Sequence, residues 1–388
     1  MGYNYQSIYK DIKKLKLAVI SHTEHYLSEN NIIVGWGPTI KELNKLVQIC
    51  DVIYHIAPLH TTNSPGSALP YNSDKIIFVP LSASWGAGLQ KLSILFTAPF
   101  NLYKIFKTLK KVDKVQFRAP TGMGIYVLPF LSLYPSGKYW VKYAGNWVSE
   151  NLPLGNKFQK HWLQHCTSLA TKLTINGSWQ EERANVIPFE NPCLDENDRK
   201  LGKQLIHSKT LSSQVNFCFV GALNEHKGVP IILEALKEMD SDINFHFIGD
   251  GKDKSKYLQL AKALKVTTYF YGFLKKDDIV AIYTKCEFIV LPSRSEGFPK
   301  VIGEAMNFGC IPIVSDVSCI SQYIQNGVNG FLTKPITSKE IIKNIQLAIK
   351  LNGNEKEKIK KYNYELAEKF TYEYYNHRIK NEIFEIKK

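Results

Sequence analysis

At 388 residues the chain is too long for one ordinary hydrophobic core, and two domains of about 190 residues each are expected. A hydrophobic content of 44% with 22% charged residues excludes a disordered or fibrous chain. The net charge of +14 rests on 44 Lys and only 5 Arg. Readers of base edges depend on Arg forks, so this basic balance does not point to nucleic acid.

The seven cysteines (Cys50, Cys166, Cys193, Cys218, Cys286, Cys310 and Cys319) are odd in number and show no Cys-x-x-Cys spacing. Several lie in apolar runs, as Cys218 does in VNFCFV. They read as buried free thiols in a reducing, cytoplasmic setting, not as a disulfide frame or zinc site. The opening MGYNYQSIYKDIKKLKLAVIS lacks a long apolar core followed by small residues, so no signal peptide is expected. The residues after Gly2 do not fit a myristoylation pattern. No apolar run of membrane-spanning length occurs. The nearest approach, LSILFTAPFNLYKIF (92–106), is broken by Pro99 and carries polar positions. A buried helix is the preferred reading there, and a membrane-surface helix the minority one. Residues 1–190 carry 20 basic against 11 acidic residues, and residues 191–388 carry 29 against 24. The more basic first half suggests an acidic substrate or an anionic membrane surface.

In chain order, the first half alternates β-branched runs with helical patterns. KLAVIS (16–21), DVIYHIA (51–57), KIIFVPL (75–81), KVQFRA (114–119), YWVKYA (139–144) and KLTIN (172–176) read as strands. Between most of them lie helical patterns such as PTIKELNKLVQIC, with Pro at its start. The second half reads more cleanly. Strand candidates are VNFCFVG, INFHFIG, TYFYGF, CEFIVLP and CIPIVS. Helix candidates are VPIILEALKEM, KSKYLQLAKAL, KDDIVAIYTK, PKVIGEAMNFG and SKEIIKNIQLAIKL. Near-continuous apolar strands are buried on both faces, which implies parallel sheets covered by helices. The expected fold is therefore α/β, with two Rossmann-like, doubly wound domains facing across a cleft. Residues 1–190 form the first domain, the polar segment 191–204 a linker, and residues 205–370 the second domain. A charged C-terminal helix, 371–388, would pack back on the first.

Ligands of open α/β sheets bind beyond the carboxyl ends of the strands, so chemistry belongs to the loops there. In FVGALNEHKG (219–228) a strand ends at Gly221 and Lys227-Gly228 opens a helix. A helix start favours an anion, and a lysine there adds a full charge suited to phosphate. A plain strand–loop–helix joint with a surface lysine is the equal alternative. In SEGFPKVIGEAM (295–306), Pro299 suits the first helical turn and Gly297 lets a ligand approach the backbone. Glu296 can accept hydrogen bonds from ligand hydroxyls. Glu304 lies five residues along the helix from Pro299, or about 7.5 Å at 1.5 Å per residue. The two carboxylates could therefore meet opposite ends of an elongated, hydroxyl-rich ligand. The plainer reading is one Glu that complements the helix dipole and one solvated Glu, although Glu304 is flanked by apolar residues.

EGFPKVIGE resembles the Glu-x7-Glu motif of retaining GT-B glycosyltransferases of family 4, the glycosyltransferase group 1 class. The resemblance runs in order through FVGALNEHKG, FIGDGKD, FYGFL, VLPSRSEGFP, GCIPIVS and NGVNGFL. It implies transfer of a sugar from a nucleotide-diphosphate sugar, with retention and without a metal or other cofactor. By that resemblance Lys227 contacts the donor diphosphate, Glu296, Gly297 and Phe298 hold the transferred sugar, and Glu304 binds the ribose. Gly35 and Gly37 of GWGP (35–38) loosely resemble the first-domain glycine-rich loop that approaches the donor phosphates. Lys227 and Glu296 are the expected catalytic residues, and Pro299 and Gly221 complete the donor loops.

Two departures stand out. Where the family usually has an Arg five residues before the loop lysine, this chain has Ala222. Arg294, Lys300 or Arg118 could supply the missing charge. Where many members have a His at the end of the fourth first-domain strand, this chain has Arg118, which reads either as a site residue or as a salt bridge in the cleft wall. His22, after the first strand, is a further acceptor-side candidate. The ten histidines show no metal spacing, and the acidic pair at Asp240 and Asp242 sits in a polar turn. The acceptor expected is a saccharide or lipid-linked saccharide of surface polysaccharide assembly, at the inner membrane face and without nucleic acid. A GT-B nucleotide-sugar epimerase and an inactive sugar-nucleotide-binding protein are the rival readings.

Overall fold

The computed structural model describes residues 15–83, 93–180, 182–208, 214–240 and 242–385. The first 14 residues of the opening stretch lie outside the described residues. The chain divides into two compact units, Met1–Phe189 with Tyr372–Lys388, and Glu190–Thr371. The first unit contains β1 (Lys16–Ile20), β2 (His25–Leu27), β3 (Ile33–Trp36), α1 (Gly37–Leu46), β4 (Val52–Leu59), β5 (Ala68–Pro70), β6 (Ile76–Ser82) and α2 (Ser93–Leu109). It continues through β7 (Lys114–Ala119), α3 (Gly124–Ser132), β8 (Tyr139–Tyr143), α4 (Leu154–His165), β9 (Lys172–Ile175) and β10 (Val186–Pro188). The second unit runs α5 (Glu196–Ser208), β11 (Val215–Val220), α6 (Val229–Glu238), β12 (Ile243–Ile248), α7 (Lys254–Ala261), β13 (Thr267–Gly272) and α8 (Lys276–Lys285). It ends with β14 (Phe288–Leu291), α9 (Lys300–Asn307), β15 (Ile311–Ser315), β16 (Phe331–Thr333), α10 (Ser338–Lys350) and α11 (Gly353–Ala367). The chain then closes in the first unit with α12 (Tyr372–Arg378).

The first unit's sheet runs β10-β9-β8-β7-β1-β4, with β6 beside β4 and a branch β2-β3-β5 past the end of β4. The long strands are parallel, and only the pairs within the branch are antiparallel. Alternation along β1 shows why both faces are covered. Ala18 and Ile20 pack into a core with Ile105, Val127 and Leu163 from α2, α3 and α4. Leu17 and Val19 pack into another with Leu43 and Leu46 of α1 and Tyr375 of α12. Winding proceeds from β1 to β4 and β6, then reverses to β7 on the other side of β1, which makes a topological switch point between β1 and β7.

The second unit has six parallel strands in the order β13-β12-β11-β14-β15-β16. Every residue of β14 and β15 is buried. Phe217 stacks on Phe245 and Phe288 of the two neighbouring strands, at centroid distances of 6.3 and 5.0 Å. Winding reverses between β11 and β14, so this unit too has a switch point beside its first strand. The α/β, doubly wound architecture read from the apolar runs is therefore present in both units.

Three expectations need correction. The segment 191–204 is not a free linker: from Glu196 it is the helix α5, tied into the second unit. Asp198 pairs with Lys276 at 2.5 Å, and Arg199 donates to Asn307 at 2.7 Å. Its polar composition reflects these charged ties. The C-terminal helix does not begin at residue 371: Thr371 takes up extended geometry and bridges to Leu194, and α12 starts at Tyr372. Finally, α2 is not a buried helix. Leu95, Phe96, Phe100, Tyr103 and Phe106 are exposed, while Ala98, Asn101, Ile105 and Thr108 face inward.

The first unit also holds a polar chain in its interior. The Thr23 carbonyl accepts from His25 Nδ1 at 2.7 Å, which leaves His25 Nε2 to accept from the Tyr71 hydroxyl at 2.8 Å. The same hydroxyl accepts from His55 Nδ1 at 2.7 Å, and His55 Nε2 accepts from the Ser21 hydroxyl at 2.8 Å. Each ring thus donates once and accepts once, as a neutral imidazole does. Burial pushes the pKa of His25 down to about 4, and burial followed by the neighbouring His25 and Arg118 holds that of His55 well below its ordinary value. Both groups are therefore harder to protonate in the fold than in the unfolded chain. Stability from this network is full above the ordinary histidine value of 6.5 and declines as pH falls from there towards 4. Denaturant titrations at stepped pH should give a slope of up to about 1.4 kcal/mol per pH unit for each histidine, and His55→Gln should flatten it. An unchanged slope in that variant would remove the network as the cause.

Candidate functional site

In the second unit β11 and β14 are neighbours, and the loops that follow them, 221–228 and 292–299, emerge side by side at the switch point. Several bonds join the two loops. Arg294 N–H donates to the His226 carbonyl at 2.9 Å, and the His226 ring nitrogen Nε2 lies 3.2 Å from the Ser295 carbonyl, to which it can donate. Lys227 Nζ meets Glu296 Oε1 at 2.5 Å, and Arg294 meets Glu225 at 2.8 Å. Gly228 has φ of +81°, and a Cβ there would lie 2.4 Å from the Pro292 carbonyl oxygen. Only glycine permits both the left-handed turn and this close approach.

The loops lead directly into α6 and α9, neither of which carries a side-chain cap. Their first amides, with the partial positive charge of two helix starts, lie at the ends of adjacent strands. Lys227 adds a full charge; its side chain is 27% exposed, while that of Glu296 is 11% exposed. The carboxylate is thus mostly shielded, and the ammonium group is the more accessible partner. This arrangement can accept an anion at the helix starts and offer Glu296 to hydroxyl donors beside it.

The remaining sequence-predicted donor residues divide by role. Phe298 is 5% exposed and packs inward, stacked on Phe370 at 4.5 Å and against Tyr323 at 4.8 Å. Its side chain anchors the loop, so only its backbone is available to a ligand. Pro299 stands at the position before α9 and not in its first turn, with ψ of 119°. Lys300 is the first residue of α9 and has no ion-pair partner among the described residues. Glu304 is half-buried on the same helix, close enough to Cys193 and Tyr283 to raise their pKa values further after burial. Gly221 N–H donates to the Ile248 carbonyl at 3.0 Å, which fixes the start of the first loop.

The candidates from the first unit lie among that unit's own groups. Arg118 is partly buried, donating to Glu42 at 2.8 Å and to Gln116 at 3.0 Å, and Lys142 meets the same Glu42 oxygen at 2.8 Å. The salt bridge that was one of the two readings held open for Arg118 is present. The glycines of GWGP also have a local cause. A Cβ on Gly35 would lie 2.6 Å from the His25 ring, and one on Gly37 would lie 2.8 Å from the Ser67 carbonyl oxygen. His22 lines a cavity of about 160 Å³ at the carboxyl ends of the first unit's strands, with Glu24, His60, Asn101 and Tyr126. Of the three candidates for the charge missing at Ala222, Arg294 is shared with Glu225 and Arg118 with Glu42. Lys300 stands at the start of α9.

Three contributors escaped the sequence reading. Asn224 Oδ1 accepts from Lys227 N–H at 2.9 Å and shapes the turn. His226 bridges to the neighbouring loop, and Cys319 Sγ lies 3.4 Å from the Gly297 carbonyl. Only Asn224 had a legible signal, an Asx residue three positions before a helix-opening Lys-Gly. The acids Asp240 and Asp242 are taken up by Lys265 and Gln214. No group of three or more His, Cys, Asp or Glu side chains is poised to hold a metal among the described residues.

Comparison with known proteins bears on these loops directly. Residues 203–366 match the family model described as glycosyl transferases group 1. A 155-residue stretch is 36% identical to an uncharacterized glycosyltransferase of Methanocaldococcus jannaschii, covering 38% of this chain and 44% of that protein. The chain spans about half the length of the curated relatives it matches first. Among solved structures, sucrose-phosphate synthase of Thermosynechococcus elongatus is similar with a TM-score of 0.72 at 13% identity, over 96% of this chain and 99% of that one. An Anabaena protein crystallised with UDP and glucose gives 0.65 at 16% identity, over 96% and 100%. These likenesses establish a shared fold of two Rossmann-like domains.

The inward packing of Phe298 has a measurable consequence. Phe298→Ala should destabilise the second unit by about 3–5 kcal/mol in urea denaturation, as expected for a buried aromatic lost to a cavity. Phe298→Leu should lose markedly less. Equal, small effects from both would show that the loop is anchored elsewhere.

Proposed function

We propose that the chain is a glycosyltransferase that moves a sugar from a nucleotide-diphosphate donor, held by the second unit, to a saccharide acceptor. The observation that carries this reading is the convergence of Lys227, Glu296 and two uncapped helix starts at the switch point of the second sheet. The family match across 203–366 supports it. In transfer, the bond between the anomeric carbon and the diphosphate breaks while a bond from the acceptor oxygen forms. Negative charge then grows on the diphosphate, where Lys227 and the helix amides stabilise it. Glu296 orients the sugar through its hydroxyls, and Glu304 accepts from the ribose. Retention of configuration belongs to this proposal through the resemblance of EGFPKVIGE to the retaining class. Because a related fold has been crystallised with UDP and glucose, a UDP-sugar is the first donor to test.

The acceptor is proposed to be a saccharide carried on a lipid, in keeping with the more basic first half of the sequence. That places the protein's work at a membrane surface, in the assembly of surface polysaccharide. No described helix is long and apolar enough to cross a membrane.

A thermal-shift panel of UDP, GDP and ADP with their glucose conjugates tests the donor site. One nucleotide should raise the melting temperature, with stabilisation approaching about 2.7 kcal/mol at a hundred times its dissociation constant. Lys227→Ala should weaken that nucleotide by about ten-fold, or about 1.4 kcal/mol. Glu296→Ala should abolish sugar transfer while leaving nucleotide binding close to wild type. Donor consumed without an acceptor would favour an epimerase, binding without turnover a sugar-nucleotide-binding protein, and no shift with any nucleotide would end the donor assignment.

A further inference from the structure

The helix α2 is apolar on both faces: Ala98, Ile105 and Leu109 are buried on the inner side, and a second apolar stripe faces outward. Its inward stripe carries Asn101 and Thr108, whose polar atoms are occupied locally: Asn101 by the backbone of Ser82 and Thr108 by the Lys104 carbonyl. Its outward stripe carries Phe96 at 86% exposure, Tyr103 at 62%, Phe100 at 54% and Phe106 at 46%. An ordinary surface helix of a globular protein turns a polar face outward instead. The charges on this face are equally one-sided. Lys107, Lys110 and Lys111 are exposed at the C-terminal end, and no acidic residue occurs between positions 93 and 112. Lys104 and Lys110 fold over the rings of Phe100 and Phe106 at 4.6 and 4.3 Å, so each ring lies beside a cation.

We propose that α2 is a membrane-docking helix that lies in the plane of an anionic lipid surface, with its aromatic stripe among the acyl chains and its lysines at the phosphates. Rings beside flexible lysine stems suit this boundary, because the stems can reach the headgroups while the rings enter the apolar layer. At 17 residues, and with lysines along its C-terminal half, the helix lies on a bilayer and does not cross it. A second copy of the chain is the poorer occupant. In a two-fold contact this face would meet itself, and lysines would oppose lysines with no carboxylate on the helix to pair with them. An anionic bilayer satisfies both the apolar stripe and the charge. The proposal is independent of sugar transfer by the second unit and would hold if that reading failed.

Flotation of the full chain with vesicles tests it, using phosphatidylcholine alone and phosphatidylcholine mixed with phosphatidylglycerol. Wild type should float with the mixed vesicles, and less so as salt rises. Phe96→Ser with Phe100→Ser should lower the partition by at least about ten-fold, since both rings are already exposed and their loss leaves the fold intact. Circular-dichroism melting of the variant checks that the fold is retained. Lys107→Glu with Lys110→Glu should remove the preference for the anionic lipid. Absence of flotation with both vesicle types, or unaltered flotation of the aromatic variant, would overturn the proposal. So would a wild-type dimer in light scattering that the aromatic variant converts to monomer, which would assign the face to a second copy.

Discussion

One ion pair joins the two loops on which the candidate site is built. Lys227 and Glu296 belong to loops 69 residues apart in sequence, yet they meet at 2.5 Å because β11 and β14 are neighbours in the sheet. Without a ligand each charge satisfies the other, so neither stands unpaired in a partly buried setting. A diphosphate carries more negative charge than a carboxylate and would compete for the lysine. Glu296 would then turn its free lone pairs to sugar hydroxyls. A pair of this kind holds both groups in position before binding, which lowers the ordering cost of recognition. It also explains the closeness of the loops elsewhere, where Gly228 faces Pro292 and His226 reaches Ser295.

The sheet topology makes this pairing possible. A parallel strand delivers its loop at the carboxyl end, and a reversal in winding leaves the loops of two adjacent strands with no helix crossing between them. Both units obey the same rule. In the second unit the reversal assembles charged groups around two helix starts. In the first it borders the cavity lined by His22, Glu24 and His60, with a buried chain of neutral histidines and hydroxyls beneath. The same architecture thus forms a charged site in one unit and a hollow with polar and apolar walls in the other.

The sequence was most legible where burial on both faces dictated composition. Runs such as VNFCFV and IPIVS are largely apolar because nearly every residue is buried, whereas the edge strand β13, with exposed and half-buried positions alternating, was legible by its aromatic and β-branched residues instead. The short branch β2-β3-β5 was not legible. Its strands are three or four residues long and pair antiparallel at the margin of the sheet, where no continuous apolar run is required. The two loops of the candidate site were legible as loops because Gly, Pro and charged residues interrupt apolar runs there. Partners were another matter. That Arg118 would be held by Glu42, 76 residues away, depends on β7 lying close to α1, and nothing local in either segment signals it. The local neighbours of the GWGP glycines, the His25 ring and the Ser67 carbonyl, were likewise not legible in the sequence.

The misreading of α2 has a more general cause. Apolar residues at helical spacing show that a helix has an apolar face, but they do not show which way that face turns. In α2 both faces carry apolar residues, and the inner one buries Ala98, Ile105 and Leu109 together with the polar Asn101 and Thr108. Asn101 and Thr108 turn inward because the end of β6 and the Lys104 carbonyl offer them hydrogen bonds there, which removes the penalty of burying them. Once those two positions are fixed inward, the 3.6-residue period places Phe96, Phe100, Tyr103 and Lys107 outward together. The exposed stripe is therefore not a failure of packing. It accompanies an inner stripe in which Ala98, Ile105 and Leu109 are buried and Asn101 and Thr108 are hydrogen-bonded, and it gives the first unit an apolar and basic surface that its strand-end cavity does not require.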